Sequence, residues 1–389
     1  MRYAGQAMQT RVLTAIDQVN AAQWDALSDA NDPFTEHAFL AALERSACVG
    51  PKTGWLPCHV VAEEHGDLIG ALPLYLKDNS YGEYIFDWGW AEAAQRVGIP
   101  YYPKLVSAVP FTPATGQRLL IANGAGVDAN AVTDALVRQV RRLADDQRAL
   151  SIHWLFLPEG QQRLLVERDY VARVTHQYHF HNADYQSFAD LLERFRSPAR
   201  KAVLRERRRA QQSGLRIERR FGEELTPADW RALYLFYRDT TSRKWGQPYL
   251  NRDFFERLRQ SFAHRIVSTL AYADDDAPVA GTLNFYKGQH LYGRYWGCVE
   301  QREDLHFELC YYQLIELTIE RKMTRFEAGA QGPHKIKRGL MPSPIYSAHW
   351  LRHPAVAEAV EAFCQSEARA LQQELAAFSQ HSGPFKRPG

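Results

Sequence analysis

Apolar and polar positions follow the same succession of periods in the two halves of this chain. Alternation with a period of two predicts strands, and apolar spacings of three and four residues predict helices. Each half reads as a strand, two helices, three antiparallel strands, a helix and a strand. The predicted first-half elements are strand 9–17, a helix capped by Asn20, helix 35–47, strands 59–63, 68–76 and 84–90, helix 131–145 and strand 150–157. The predicted second-half elements are strand 214–221, a helix capped by Thr226, helix 252–262, strands 265–272, 279–286 and 290–298, helix 307–322 and strand 324–329.

Short sequence matches connect the two halves. Segment 70–75 (GALPLY) corresponds to 281–286 (GTLNFY), and segment 81–84 (YGEY) corresponds to 292–295 (YGRY), with 11 residues from glycine to tyrosine in both copies. The match indicates that one structural unit is present twice.

Length and repeat together predict two domains. At 389 residues the chain is longer than one hydrophobic core usually supports. We predict a first domain, 1–185, with an insertion at 91–123, and a second domain, 186–389, opened by a basic helix at 197–213 and closed by an amphipathic helix at 355–378. The fold class is α/β of the α+β type, with mostly antiparallel sheets that gain a parallel strand after a crossover helix.

The composition is that of a globular protein, with 46% hydrophobic and 24% charged residues. No apolar run is long enough to span a bilayer and residues 1–20 lack a signal-like apolar region, so we expect a cytoplasmic protein. The five cysteines include no close pair, and no His, Cys or carboxylate spacing is typical of a metal site. We therefore predict neither disulfides nor a metal.

Positive charge is concentrated between Arg194 and Arg220, where eleven Lys or Arg stand against two acids. Such a segment is either a solvated helix face or a contact for a phosphate-rich partner, the candidate partners being tRNA, a nucleotide-linked acceptor or an acidic polymer. The candidate nucleic-acid or phosphate contacts are Arg200, Lys201, Arg205, Arg207, Arg208 and Arg209.

Several longer motifs identify a resemblance that covers nearly the whole chain. They are DPF at 32–34, YGEYIFDW at 81–88, YYPK at 101–104, PFTP at 110–113, RKWG at 243–246, GRYWG at 293–297, HFELCYYQ at 306–313, EAGAQG at 327–332 and YSAHW at 346–350. With these motifs and its element order, the chain resembles the FemAB-like predicted N-acyltransferases, which have two tandem GNAT folds. The resemblance implies transfer of an acyl or aminoacyl group to an amino group of a small-molecule or cell-wall and peptide-type acceptor.

The turn before the crossover helix favours one acyl donor. GNAT enzymes that use acetyl-CoA bind its pyrophosphate at a glycine-rich turn, because glycine lets backbone N–H groups approach closely. Segment 300–306 (EQREDLH) has no glycine and three acids. We therefore expect aminoacyl-tRNA rather than acyl-CoA as the donor, and no tightly bound cofactor. An acyl-CoA-dependent N-acetyltransferase and a non-catalytic nucleic-acid or partner-binding pair of GNAT domains remain the alternatives.

The GNAT fold implies that the strands before and after the crossover helix part, and that the cleft between them holds the acyl donor against the acceptor amine. Four residues around this expected cleft are candidates for catalysis. Glu327, on a short strand flanked by small residues, is a candidate general base or else part of a structural ion pair. His334 and Lys335 are suited to moving a proton and to stabilising an oxyanion, unless they are ordinary surface-loop residues. Glu308 is a candidate site residue or a carboxylate that stabilises a helix N-terminus.

The remaining candidates are predicted to bind substrate, and for the aromatic ones the alternative is packing in the hydrophobic core. Arg294, in mid-strand, is a candidate anchor for a phosphate or carboxylate, or a salt-bridge partner. The second-half candidates are Arg294, Tyr292, Tyr295, Trp296, His306, Tyr311, Gln331, Arg243, Lys244 and Trp245. Strand alternation predicts Tyr292, Arg294 and Trp296 on one face and Tyr295 on the other. In the first half, the family-like motifs imply contacts from Asp87, Lys104 and Arg118.

Overall fold

A computed structural model describes residues 8–124, 126–245, 247–329, 332–381 and 383–386, with the backbone alone for 242–245 and 377–381. Contacts divide the chain into two compact units, Met1–Thr175 with Ile345–Ala370, and His176–Pro344 with Leu371–Gly389. The predicted domains, 1–185 and 186–389, are defined by the sequence repeat and stay a prediction. The contact-defined units differ from them chiefly in assigning 345–370 to the first unit.

The chain from the N-terminus to residue 181 forms nine strands and five helices in the described residues. In order these are β1 (Gln9–Leu13), α1 (Ala21–Asp25), α2 (His37–Arg45), β2 (Leu56–Pro57), β3 (His59–Glu64), β4 (Asp67–Leu72), β5 (Tyr75–Lys77), α3 (Trp88–Arg96), β6 (Lys104–Ser107), β7 (Leu120–Ile121), α4 (Ala129–Asp146), β8 (Ser151–Leu157), α5 (Glu159–Val166) and β9 (Val171–His181).

The rest of the described chain supplies the other elements. In order these are α6 (Phe188–Glu193), α7 (Ser197–Gln211), β10 (Arg216–Phe221), α8 (Pro227–Trp245), α9 (Arg252–Ser261), β11 (Ile266–Tyr272), β12 (Pro278–Lys287), β13 (His290–Cys298), α10 (Leu305–Phe307), α11 (Gln313–Glu320), β14 (Arg325–Glu327), β15 (Met341–Leu351) and α12 (Pro354–His381). A π-helical turn, Glu308–Tyr312, joins α10 to α11, and we call the run 305–320 the crossover helix.

Each unit contains the parallel strand pair expected on either side of a crossover helix. In the first unit β6 pairs with β8 in parallel, and α4 connects them in the chain. In the second unit β13 pairs with β14 in parallel across the crossover helix. The remaining pairs in the second-unit sheet, from β10 through β13, are antiparallel. The predicted mixed α/β fold with mostly antiparallel sheets is confirmed.

Helix starts follow the capping residues that the sequence offers. The Asn20 side chain accepts a hydrogen bond from the Gln23 N–H at the start of α1. At the start of α8, Thr226 and Asp229 bond reciprocally, each side chain accepting from the backbone N–H of the other. Both predicted caps are confirmed, and the α8 start is a capping box with Asp in place of Glu.

Two first-half strand predictions are wrong. The predicted strand 68–76 is divided at Pro73 into β4 and β5, which lie in different sheets, because proline has no N–H to continue a ladder. Part of the predicted strand 84–90 belongs to helix α3, in which Trp90 and Ala94, four residues apart, are buried together. Helical spacing of the apolar residues outweighs the strand propensity of the aromatics there.

The cores of the two units are separate clusters of apolar side chains. In the first unit, α4 packs Leu136 and Val140 against Leu72 and Trp154. In the second, the crossover helix packs Leu314 and Ile315 with Leu291 of β13 and Phe326 of β14. This packing fixes one face of the parallel pair and leaves the other face for polar groups. Among the residues described, no helix combines the length and apolar character that a membrane span requires.

Candidate active site

In the second unit, the parallel pairing of β13 with β14 covers only the first part of β13. Pairing joins His290–Arg325, Leu291–Phe326 and Tyr292–Glu327. Beyond Tyr292, β13 continues to Cys298, whereas β14 ends at Glu327. The expected parting of the two strands is therefore found beside Glu327.

A bulge in β13 changes which side chains share a face. Leu283 pairs with Tyr295 and Asn284 pairs with Gly293, so that Arg294 is the extra residue. Tyr295 consequently lies on the face of Tyr292, and Trp296 lies on the opposite face. The predicted face with Tyr292, Arg294 and Trp296 together is wrong, since simple alternation ends at the bulge. β-Bulges are frequent next to active sites, where they redirect a side chain.

Polar side chains occupy the face of the parallel pair that lies opposite the crossover helix. The buried Glu327 carboxylate lies 2.9 Å from the Arg325 guanidinium and 3.8 Å from Nε2 of the buried His179. Arg325 also lies 3.1 Å from Nδ1 of His290, whose Nδ1 is 3.4 Å from the Tyr292 hydroxyl. The structural ion pair that was the alternative prediction for Glu327 is thus present, with Arg325 as the partner, within a connected polar cluster.

The histidines of this cluster are held in the neutral form. Burial lowers the pKa of His179 well below its ordinary value, and the Arg325 charge lowers it further. The same two causes lower the pKa of His290 to about 3 and also lower the pKa of His181. A neutral imidazole can accept a hydrogen bond, but its lowered pKa makes it a weak base, so His179 is suited to positioning a polar group beside Glu327.

Sequence reasoning missed His179 and His181 because it did not predict β9. The signal was present, since His179 and His181 flank Phe180 with strand periodicity. In the structure, Glu327 pairs across the ladder with His179, and Arg325 pairs with His181.

Lys335 and His334 lie just past the end of β14. The Lys335 ammonium is buried and donates to the carbonyls of Ala328 and Gly329 at 2.6 and 3.1 Å. His334 is exposed, with Nε2 3.1 Å from the Tyr311 hydroxyl. Lys335 is therefore no ordinary surface lysine, and its ammonium lies on the backbone carbonyls that directly follow β14.

The buried Glu308 carboxylate is held by hydrogen bonds from neighbouring side chains, which indicates a structural role. Its side chain is 1% exposed, and both oxygens accept from Arg207 at 3.1 Å, while Gln313 donates to one of them at 2.7 Å. Arg207 also pairs with Glu316. Arg207 was one of the six candidate phosphate contacts, but it points into the unit because a buried carboxylate needs a partner, so the prediction is wrong for this residue.

Other cations of α7 remain on the surface. Lys201, Arg205 and Arg208 are exposed at spacings of four and three residues, which places them in one row on the helix. We call these three residues the cationic stripe. Arg200 is partly exposed, and Arg209 pairs with Glu303 and Asp304.

The acidic turn before the crossover helix keeps the character predicted for it. Asp304 precedes α10 in a left-handed conformation, with a φ of 61°. Arg209 pairs with Glu303 and lies 3.5 Å from Asp304, and Arg302 lies 2.7 Å from Glu300. The position at which this fold offers backbone N–H groups to a pyrophosphate therefore holds carboxylates and is contacted by Arg209.

The aromatic substrate-binding candidates are divided between the two faces of β13. The Tyr295 ring lies 4.9 Å from Tyr237, and the Arg294 guanidinium lies 5.2 Å from the Tyr295 ring. Trp296 lies 5.1 Å from the His306 ring. Gln331 lies outside the described residues, and the side chains of Arg243, Lys244 and Trp245, at the end of α8, are not described.

In the first unit, Lys104 and Asp87 belong to one buried polar network. The fully buried Lys104 ammonium donates to Asp87 at 2.5 Å, to Ser80 at 2.8 Å and to Glu83 at 2.9 Å. The Tyr101 hydroxyl donates to Asp87 at 2.6 Å. The structure therefore brings these two candidates together, and their contact with an acceptor stays a prediction.

Arg118 is part of a separate buried structure. Its guanidinium lies 3.3 Å from Asp32 and donates to the carbonyls of Ala114, Gln117 and Leu155 at 2.9 to 3.1 Å. These bonds hold together the segments around Arg118. A contact from Arg118 to an acceptor stays a prediction, and the geometry favours a structural role.

No cluster of three or more His, Cys, Asp or Glu with the geometry of a metal site occurs among the described residues. The carboxylate, imidazole and ammonium groups around the end of β14 are of the types that serve in general acid–base and electrostatic roles.

Comparison with solved structures agrees with this fold. The chain is similar to FemX, with 12% identity, a TM-score of 0.53 and coverage of 88% of this chain and 98% of that one. It is also similar to L-PGS from Bacillus licheniformis (11% identity, TM-score 0.49, 86% and 98%) and to a tandem GNAT protein from the clavulanic acid biosynthesis pathway (13%, 0.46, 89% and 99%). The FemX similarity supports the fold alone, and no curated protein sequence matches significantly.

The family assignment comes from the sequence itself. The family model FemAB-like, described as peptidoglycan biosynthesis/recognition, matches residues 15–387. The family and the fold support the predicted class, an acyltransferase. The chain is a member of the FemAB-like family.

Proposed function

We propose that this protein transfers an aminoacyl group from aminoacyl-tRNA to an amino group of a peptidoglycan-precursor or peptide-type acceptor. One observation carries the proposal: β13 and β14 part beside Glu327, where a buried carboxylate and a neutral imidazole lie 3.8 Å apart. Acyl transfer to an amine needs a proton acceptor in a cleft of this kind. Membership in a peptidoglycan-related family supports the acceptor class.

The chemical step follows from the groups present. The amine nitrogen attacks the ester carbonyl, forming the new C–N bond and a tetrahedral oxyanion. We assign the amine proton to Glu327, with His179 beside it. The C–O bond to the ribose then breaks, and the ribose oxygen takes the proton back from Glu327 as tRNA leaves. The buried Lys335 charge at the end of β14 favours the negative charge that develops.

The acidic turn supports the choice of donor. Glu303 and Asp304 would repel a pyrophosphate at the start of the crossover helix, and Arg209 already contacts both. An aminoacyl ester needs no pyrophosphate site there. The cationic stripe on α7 offers three exposed charges to an RNA backbone. Because charged tRNA is available in the cytoplasm, we expect the protein to act there.

Ligand-dependent thermal stability tests the donor. Melting temperatures are compared with CoA, acetyl-CoA, uncharged tRNA and bulk aminoacylated tRNA, because a ligand that binds the folded state raises its stability. We expect a rise with tRNA and none with CoA. A rise with CoA but not with tRNA would favour an acyl-CoA-dependent enzyme. Binding of tRNA without transfer would favour a non-catalytic module.

Substitutions test the assigned groups. Glu327→Gln and Lys335→Ala should each lower transfer at least about tenfold with the fold intact, since general acid–base groups and groups that stabilise an oxyanion typically contribute more than that. Glu320→Gln is the matched control, since this carboxylate pairs with Arg219 on the surface. Unchanged rates in the two site variants would remove these residues from the mechanism.

A further inference from the structure

We propose that a groove between α8 and α9 of the second unit docks an acidic amphipathic helix of a partner protein. The groove has a volume of about 530 Å³, and aromatic side chains, Trp230, Tyr234 and Phe255, form its floor. It shares no residue with the polar cluster around Glu327 or with the cationic stripe. It is therefore a separate surface, and the inference goes beyond the function proposed above.

The fold uses only one face of α8. Leu233 and Phe236 are buried on the face that packs on the sheet, where a Cβ at Gly297 would clash with the Phe236 backbone. Leu235 is 53% exposed and lines the groove, where it continues the apolar floor. An exposed apolar surface that is rimmed by polar residues marks an interaction site. The outer face of α8 thus has the character of an interface that the fold itself does not use.

Arginines line both sides of the groove at the same spacing. Arg231 and Arg238 are seven residues apart on α8, and Arg252 and Arg259 are seven residues apart on α9. Seven residues of α-helix place the two members of each pair on one side of the helix, about 10 Å apart along its axis. We call these two pairs the arginine rows. Each row presents a positive charge every two helical turns.

Most of this positive charge has no counter-charge within the groove. Glu256 is the one acid among the lining residues, and Arg259 donates to it at 3.0 Å. Arg231 and Arg238 are exposed, and neither forms an ion pair with another described residue. A surface with four arginines and one glutamate attracts an anionic partner and orients its approach.

The spacing of the charges favours a helix as the partner. A helix with carboxylates seven residues apart along both edges of an apolar stripe repeats its charges at the spacing of the arginine rows. Its stripe would lie on the floor of the groove, and each guanidinium can bind a carboxylate through two hydrogen bonds. Adjacent phosphates of one nucleotide lie much closer together than the two arginines of a row.

The composition of the groove favours a protein over RNA. Single-stranded RNA binds by stacking its bases on exposed aromatic rings, whereas Trp230 and Phe255 are only 4% and 2% exposed. The exposed anchor is instead the aliphatic Leu235. Protein–protein interfaces are enriched in aromatic residues and arginine and depleted in lysine, and the groove lining contains no lysine.

The two helices are fixed before any partner binds. The rings of Tyr234 and Tyr237 on α8 lie 5.4 and 5.5 Å from the Phe255 ring on α9. The Tyr237 hydroxyl accepts a hydrogen bond from the backbone N–H of Leu250, just before α9, at 3.0 Å. These contacts limit the ordering that binding would have to impose.

The test is fluorescence anisotropy of the full chain with a labelled helical peptide of about four turns, or about 15 residues. The peptide carries leucines along one stripe and glutamates seven residues apart on both edges of that stripe. We expect saturable binding. Glutamine in place of the glutamates, serine in place of the leucines, or one central proline should each weaken binding at least about tenfold, because the groove needs charge, apolar contact and a helix.

Substitutions in the groove locate the binding. Arg231→Ala combined with Arg238→Ala, and separately Leu235→Ser, should weaken peptide binding at least about tenfold, or about 1.4 kcal/mol. All three side chains are exposed, so the fold should be retained, which circular dichroism checks. Arg257→Ala is the matched control, because Arg257 pairs with Asp253 on α9 and does not line the groove.

The outcomes decide between the partners. No saturable peptide binding, equal binding of the glutamate and glutamine peptides, or an equal loss in Arg257→Ala would each overturn the proposal. Single-stranded oligouridylate and ATP are separate arms. Binding of either one, in place of the peptide, that depends on Arg231 and Arg238 would assign the groove to a nucleic acid or nucleotide and refute the helix. The peptide assay contains no acyl donor or acceptor, so its result is independent of the transfer assay.

Discussion

Replacing Arg207 by Met tests whether α7 is held in the second unit by its buried guanidinium. Glu308 is 1% exposed and Arg207 is 14% exposed, and two hydrogen bonds of 3.1 Å join them. Removing one partner of a buried ion pair costs about 3–5 kcal/mol. Gln313 still donates to Glu308, and Glu316 is partly exposed, so we expect the lower end of this range. For a unit of this size the loss corresponds to a melting temperature lower by roughly 6–12 °C.

The matched control is Arg208→Met on the same helix. Arg208 is exposed and belongs to the cationic stripe, so its replacement should leave the melting temperature nearly unchanged while it weakens tRNA binding. The assay is thermal unfolding followed by circular dichroism, with tRNA affinity measured on the same samples. Equal melting temperatures for the two variants would refute the structural role of Arg207. A loss of tRNA affinity in folded Arg207→Met alone would also contradict it.

Three further predictions concern other sites. Alanine at all three positions of the cationic stripe should lower tRNA affinity. It should also reduce the slope of log affinity against log salt by up to about 0.9 for each phosphate that the protein no longer neutralises. An unchanged slope would exclude a role of the stripe in tRNA binding. His179→Asn should lower transfer about tenfold or more. His181 lies on the same face and contacts Ser343, and His181→Asn should keep most of the rate. Equal effects of the two substitutions would argue against a specific role of His179. Burial lowers the pKa of Lys77 to about 7, whereas the pKa in the unfolded chain is about 10.5. Between these two pH values the unfolded state binds more protons than the folded state. The free energy of unfolding should therefore rise with pH there, by on the order of 1 kcal/mol per pH unit relative to Lys77→Met. Parallel stability curves for the two proteins between pH 7 and 10 would contradict the Lys77 prediction.

Much of the fold could be predicted because local pattern and tertiary packing agree. The three strands of the second-half meander and the crossover helix have strong periods, and their bounds differ from the structure by a few residues. The failures occur where tertiary structure decides. The chain leaves the sheet of β4 at Pro73, and β5 pairs in another sheet. The six-residue match of 70–75 to 281–286 cannot reveal this change of sheet. At Trp88–Arg96 the strand propensity of the aromatics conflicted with helical burial of Trp90 and Ala94.

The candidate site could be located from the sequence, but its partners could not. Glu327 lies on a predicted strand and Lys335 on the turn after it, so both are found in one short segment of the sequence, 327–335. His179 lies 148 residues before Glu327 in the chain, and strand pairing of β9 with β14 brings the two together. The bulge at Arg294 depends on the register between β12 and β13, which alternation in one strand does not specify. Arg207 points inward because Glu308, 101 residues away, is buried.

The most direct test of the central claim is transfer of a labelled amino acid from charged tRNA to an amine acceptor, here a peptidoglycan-precursor peptide with a free amino group. We predict a labelled amide product with the wild-type protein, at least about tenfold less with Glu327→Gln, and none when labelled acetyl-CoA replaces charged tRNA. A product from acetyl-CoA and none from charged tRNA would contradict the account.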